Sequence, residues 1–115
     1  MNIKKLERTV INSLEELKAN DIKILDVRQL TSITDIMIIS SGTSARQIRS
    51  LAQKVIEEVK KINVQPLGSE GEDQGEWALI DLGDIVVHIM QPGIREYYQL
   101  EKLWSVDSKQ YSSSL

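Results

Sequence analysis

Two runs of alternating aliphatic residues meet at Gly83-Asp84, in the stretch Glu76–Gln91 that reads EWALIDLGDIVVHIMQ. A Gly-Asp pair between such runs suits a two-residue hairpin loop. With that loop, Leu82 faces Ile85, and the register of every other pair follows. Ala78, Ile80, Leu82, Ile85, Val87 and Ile89 then share one wholly apolar face. Trp77, Leu79, Asp81, Val86, His88 and Met90 share the other, which mixes large apolar groups with an acid and the only histidine. Side chains alternate with period two, so a slip of one residue would exchange the two sets. The aliphatic face is expected to meet helices, and the mixed face is the one that needs a function.

The remaining segments can be placed around this hairpin. Leu6, Val10, Leu14 and Leu17 recur at helical spacing and predict a helix over 3–19, stopped by Ala19-Asn20-Asp21. Ile22–Arg28 reads as a short strand with Ile22, Ile24 and Val27 inward. Thr34–Ser40 carries a continuous apolar run, which predicts a strand buried on both faces. A second helix starts after Gly42, with Thr43 or Ser44 as N-cap and Ser44-x-x-Gln47 at the spacing of a capping box. Its stripe of Ile48, Leu51, Ala52, Val55, Ile56 and Val59 runs to about residue 61, where Asn63 closes it. Val64–Gly68 contains Pro66 and predicts a short edge strand. Glu70–Gly75 is an acidic loop into the hairpin, and Pro92-Gly93 ends the hairpin. Ile94–Trp104 predicts one final helix, with Leu100, Leu103 and Trp104 inward. The order helix, strand, strand, helix, three strands, helix implies an α/β (α+β) fold, a mixed sheet of about five strands with flanking helices. One domain over 1–105 and a disordered tail over 106–115 are expected.

Charge and composition narrow the function classes. The chain has 115 residues, 14 basic and 17 acidic, for a formal net charge of −3. That balance argues against nucleic-acid binding by counterion release, which needs a basic stripe. It suits a basic partner. Without cysteine there is neither a disulfide framework nor a thiolate metal site. Charges interrupt every apolar run of the N-terminal segment, and no stretch nears the ~20 apolar residues of a membrane span. A cytoplasmic protein with no membrane contact is expected.

Catalytic chemistry finds little to work with. His88 beside Asp81 and Asp84 is the one candidate general base. In the hairpin register Leu79 faces His88, and Asp81 lies diagonal to it, roughly 7–8 Å away between backbones. No Ser or Thr nucleophile shares that face, and no metal-ligand spacing is present. Ser40-Ser41-Gly42-Thr43-Ser44 before a helix could cradle a phosphate, but it lacks the P-loop lysine and also reads as a simple capped turn. Trp77, Leu79 and Met90 form either core or an exposed patch with a polar rim, the pattern of an interaction surface. The Lys54–Lys61 charges read as a solvated helix face.

Across this length the chain resembles the ribosomal silencing factor family, also called RsfS or Iojap-related. The resemblance rests on Asp26-Val27 and Leu30-Thr31-Ser32, on Thr34-Asp35 through Ser41-Gly42-Thr43-Ser44-Ala45-Arg46-Gln47, and on Glu70-Gly71. It continues in Glu76–Asp81, Asp84–His88 and Arg95–Trp104. Each motif is short, and their order and spacing make them specific. At Ile36-Met37 the chain departs from relatives that carry an aromatic residue there, which affects packing only. The resemblance implies a fold like that of nucleotidyltransferases, without enzymatic activity, cofactor or metal. It implies binding to the large ribosomal subunit through the ribosomal protein numbered fourteen in that subunit. The bound factor would block joining of the small subunit and repress translation under nutrient limitation. The residues expected to meet the partner are Trp77, Leu79, Asp81, His88 and Met90, with Glu70, Arg95 and Tyr98. The competing readings are a degenerate or active nucleotidyltransferase-like enzyme and a homodimer built through the same face.

Overall fold

The structure, a computed structural model, describes residues 2–104, excluding the side chain of Trp104. The expected tail and the packing expected of Trp104 therefore lie outside the described residues. In chain order the elements are α1 (Ile3–Glu16), β1 (Asn20–Asp26), β2 (Ile36–Ser41), α2 (Ala45–Lys61), β3 (Gly68–Glu70), β4 (Trp77–Asp81), β5 (Ile85–Met90), α3 (Pro92–Tyr98) and α4 (Leu100–Trp104). The five strands form one mixed sheet in the order β1-β2-β5-β4-β3. Only β2 and β5 run parallel; the other neighbours are antiparallel.

The β4–β5 hairpin has the register its sequence implies. Trp77 faces Met90, Leu79 faces His88 and Asp81 faces Val86, and the Leu82 N–H donates to the Ile85 carbonyl at 2.9 Å. Gly83 takes φ +87°, as the first central residue of a type II′ turn requires, and the Asp81 carboxylate accepts its N–H at 2.9 Å. The six aliphatic residues of the inner face are buried with Leu6, Val10 and Leu14 of α1 and Ile48, Leu51 and Val55 of α2. Both long helices therefore lie on one side of the sheet.

Each long helix ends in a Schellman motif. At the end of α1, Ala19 N–H bonds Leu14 O and Lys18 N–H bonds Glu15 O, with Lys18 left-handed at φ 65°. At the end of α2, Val64 bonds Val59 O and Asn63 bonds Lys60 O, with Asn63 at φ 64°. The stop expected at 19–21 thus comes earlier, and Asn20 and Asp21 already belong to β1. The start of α2 is as the sequence implies, with the Ser44 hydroxyl accepting the Gln47 N–H at 3.1 Å.

Three expectations shift for physical reasons. Val64 is used by the cap of α2 and Pro66 has no N–H, so the edge strand begins only at Gly68. β1 lies at the other edge and bulges between Asn20 and Lys23, which leaves Ile24 exposed; Val27 lies beyond the strand and is buried on the opposite side of the sheet. The final helix is broken at Gln99, which is left-handed at φ 49°. Leu100 is then half-buried, while Leu103 points outward, 68% exposed. β2, expected to be covered on both faces, is buried at all six positions.

The inner core should respond to truncation far more than the sheet edge. Ile80 is fully buried and Ile24 is 48% exposed. In chemical denaturation, Ile80→Ala should lose about 3 kcal/mol and Ile24→Ala less than about 1 kcal/mol.

Candidate functional site

Opposite the long helices, the side chains of the outer face lie in rows across the strands. One row runs Glu70, Leu79, His88, Ile39, Lys23, and the next runs Trp77, Met90, Ser41, Asn20. Cover is uneven. Val27, Met37, Ile39 and Met90 are buried beneath Leu30, Ile94 and Leu100, from the segment after β1 and from α3 and α4. The β4 and β3 flank has no such cover, and Leu79 and Asp81 remain half-exposed and Glu70 exposed.

Where the covered and open halves meet, four rings pass from interior to solvent. His88 is 6% exposed, and its Nδ1 accepts the Trp77 indole N–H at 2.9 Å. The Trp77 ring packs against Tyr98 at 4.9 Å between centroids, and Tyr98 meets Tyr97 edge-on at 5.0 Å. Tyr98 is 51% exposed and Tyr97 80%. Such tilted and edge-on pairs are favourable ring geometries. Burial holds the His88 pKa down at about 4. The indole donor acts in the same sense, since it bonds the neutral imidazole and leaves the proton on Nε2.

Trp77 and Asp81 are both diagonal neighbours of His88, one toward each end of β4. Only the longer indole reaches the imidazole, while Asp81 turns to the Gly83 N–H. The acid–base pair considered from the sequence is therefore not assembled. Nor does the Ser40–Ser44 turn hold its donors open. The Thr43 N–H is bound by Gln47 Oε1 at 2.7 Å, and Gln47 Nε2 ties the turn to the end of α1 through Leu17 O and Lys18 O.

Arg95 is buried, 6% exposed, and serves as the joint of the C-terminal helices. Its Nε and Nη2 donate to the two Glu101 carboxylate oxygens at 2.7 and 3.1 Å, and its Nη1 donates to the Ser41 hydroxyl at 2.8 Å. Asp21 adds a contact at 3.5 Å. The guanidinium holds the Glu101 carboxyl below its ordinary pKa through the side-chain hydrogen bond. This fork fixes α4 after the break at Gln99 and lines a cleft of about 460 Å³. Its three carboxylates, Asp21, Glu96 and Glu101, surround an arginine whose bonds are already made.

Of the eight residues expected to meet a partner, the structure brings Trp77, Leu79, Asp81, Tyr98 and Glu70 to accessible positions. His88, Met90 and Arg95 are buried behind them and present almost no surface. Tyr97, which a single helix over Ile94–Trp104 does not single out, is also exposed beside Tyr98. Two adjacent tyrosines close to a Pro-Gly start were the only hint that this helix is short.

The chain is similar to known proteins over most of its length. The family described as "Ribosomal silencing factor during starvation" matches residues 1–114. A ribosomal silencing factor RsfS of Chromobacterium violaceum is 44% identical over 104 residues, covering 90% of this chain and 85% of that protein. A crystal structure of a protein from the same organism superimposes with a TM-score of 0.89 at 44% identity, covering 90% of this chain and 87% of the other. A mouse protein named for mitochondrial assembly of the ribosomal large subunit is 32% identical, over 86% of this chain and 45% of its own length.

Because His88 is neutral when folded and titrates near 6.5 when unfolded, the unfolded chain binds more protons between those values. Stability should therefore fall as pH drops from about 6.5 toward about 4, by up to about 3 kcal/mol, and this contribution should level off below. His88→Gln keeps an acceptor for Trp77 and cannot titrate. The difference between parent and variant in thermal melts across pH 4–7 should show that slope, and a flat difference would contradict it.

Proposed function

Since the chain belongs to the ribosomal silencing factor family, we propose that it binds the large ribosomal subunit and keeps the small subunit from joining it. The observation that carries this reading is the family match over residues 1–114, together with an aromatic and apolar flank left open on the sheet. The name of the mouse relative supports the large subunit as the target. In this reading Tyr98, Tyr97, Trp77 and Leu79 supply the contact area. His88 and Met90 hold Trp77 from beneath, and Arg95 positions Tyr98 through α3. The partner is a basic ribosomal protein at the intersubunit face, the one numbered fourteen, and repression follows from steric exclusion when nutrients are scarce. No catalytic step is part of the function.

Sedimentation of the protein with separated subunits is the direct test. The protein should co-sediment with the large subunit and not the small one, and should lower the yield of joined ribosomes. Co-sedimentation with neither subunit would refute the reading.

Tyr98 and Trp77 should behave differently. Tyr98 is half in solvent, so Tyr98→Ala should weaken binding about thirtyfold, roughly 2 kcal/mol, with little change in melting temperature. Trp77→Ala removes the same kind of contact and also strands the His88 Nδ1 acceptor, so it should lower affinity and melting temperature together.

A further inference from the structure

Beside Trp77 the open flank is not flat. Glu70, Gly71, Trp77 and Leu79 line a hollow of about 280 Å³. That is about nine water volumes at ~30 Å³ each, just under the ~300 Å³ at which pockets for whole small molecules begin. It is the size for one long side chain. The indole and the leucine line it, and Gly71, at φ +82°, lies so close to the Trp77 carbonyl that no Cβ would fit there.

The electrostatics choose the side chain. Glu70 lies in the same sheet row as Leu79 and His88, on the outer face. Its carboxylate makes no hydrogen bond or ion pair among the described residues and stands at the rim of an apolar hollow. The segment that carries it is acidic, and the cation that reaches its loop is Arg49 of α2, which donates to the Asp73 carbonyl at 3.2 Å. Between Lys61 and Arg95 the chain carries six acids, Glu70, Glu72, Asp73, Glu76, Asp81 and Asp84, and no lysine or arginine. With a total charge of −3, this third of the chain holds −6 and the rest +3.

We propose that the hollow receives one arginine or lysine of the partner, its stem between Trp77 and Leu79 and its cationic head on Glu70. A cation over an indole with a carboxylate at its head gains both ring and ion-pair attraction. An aliphatic anchor would leave the carboxylate unpaired, and RNA would meet its phosphates with the acidic flank. The occupant is therefore a protein side chain. The proposal rests on the large-subunit reading above and adds the contact that orients the partner on the sheet.

The test measures large-subunit affinity for the parent, Glu70→Gln, Glu70→Lys and Asp73→Lys at about 50 mM and about 300 mM salt, where screening differs strongly. Glu70→Gln should bind about fivefold more weakly and Glu70→Lys more than about thirtyfold, with the larger losses at low salt and melting temperatures unchanged. Asp73→Lys, the same charge change three residues on, in the loop after β3 and outside the hollow, should cost less than about threefold. Parental affinity in Glu70→Lys would overturn the proposal while the parent's own binding leaves the functional reading standing. Equal losses in Glu70→Lys and Asp73→Lys would also overturn it, because the general field and not the hollow would then be at work. Absence of binding by the parent would remove the functional reading and this proposal with it.

Discussion

A parallel pair of strands in the middle of a sheet has to be covered on both faces, and β2 with β5 is that pair. Every residue of β2 is buried, and five of the six in β5 are. One face is served amply by α1 and α2, whose aliphatic stripes meet Ile38, Val87 and Ile89. The other has only the short α3 and α4 and the segment after β1, enough to cover Met37, Ile39 and Met90 and no more. The cover ends at the boundary between β5 and β4. The open flank is thus the remainder left by a core whose first demand was its parallel centre.

At that boundary the side chains change character in a graded way. A buried neutral imidazole holds an indole, the indole packs a tyrosine, and the tyrosine leads to a second that is almost free. Rigid rings supply area at small cost in side-chain entropy. Holding Trp77 at its polar tip fixes the ring in advance. Arg95 does the same one level further back. Its fork on Glu101 and its bond to Ser41 fix α3 against the sheet and so fix where Tyr98 stands.

The parts of this architecture legible in the sequence are those governed by short periods. The pairing of Leu79 with His88 and the all-aliphatic face followed from alternation and one Gly-Asp turn, and Asn63 announced the end of α2. The family was legible as well, since several short motifs keep their order along most of the chain. What escaped depends on longer-range competition. Lys18 and Gln99 both adopt a left-handed backbone that neither residue type advertises, so one helix ended early and another broke. Arg95 looked like a surface cation, and only Ser41, 54 positions away, and Glu101 together make it a buried one. Whether Trp77 or Asp81 would claim His88 turned on side-chain reach, which spacing cannot rank.

The depth at which His88 sits has a consequence for what such a protein can sense. It is the only imidazole in a chain without cysteine, and it stays uncharged well below neutrality. An ordinary histidine changes charge between about pH 6 and 8, and burial takes this one out of that range. The charge that this ring contributes to the face around Trp77 is therefore the same in mildly acidic as in neutral solution.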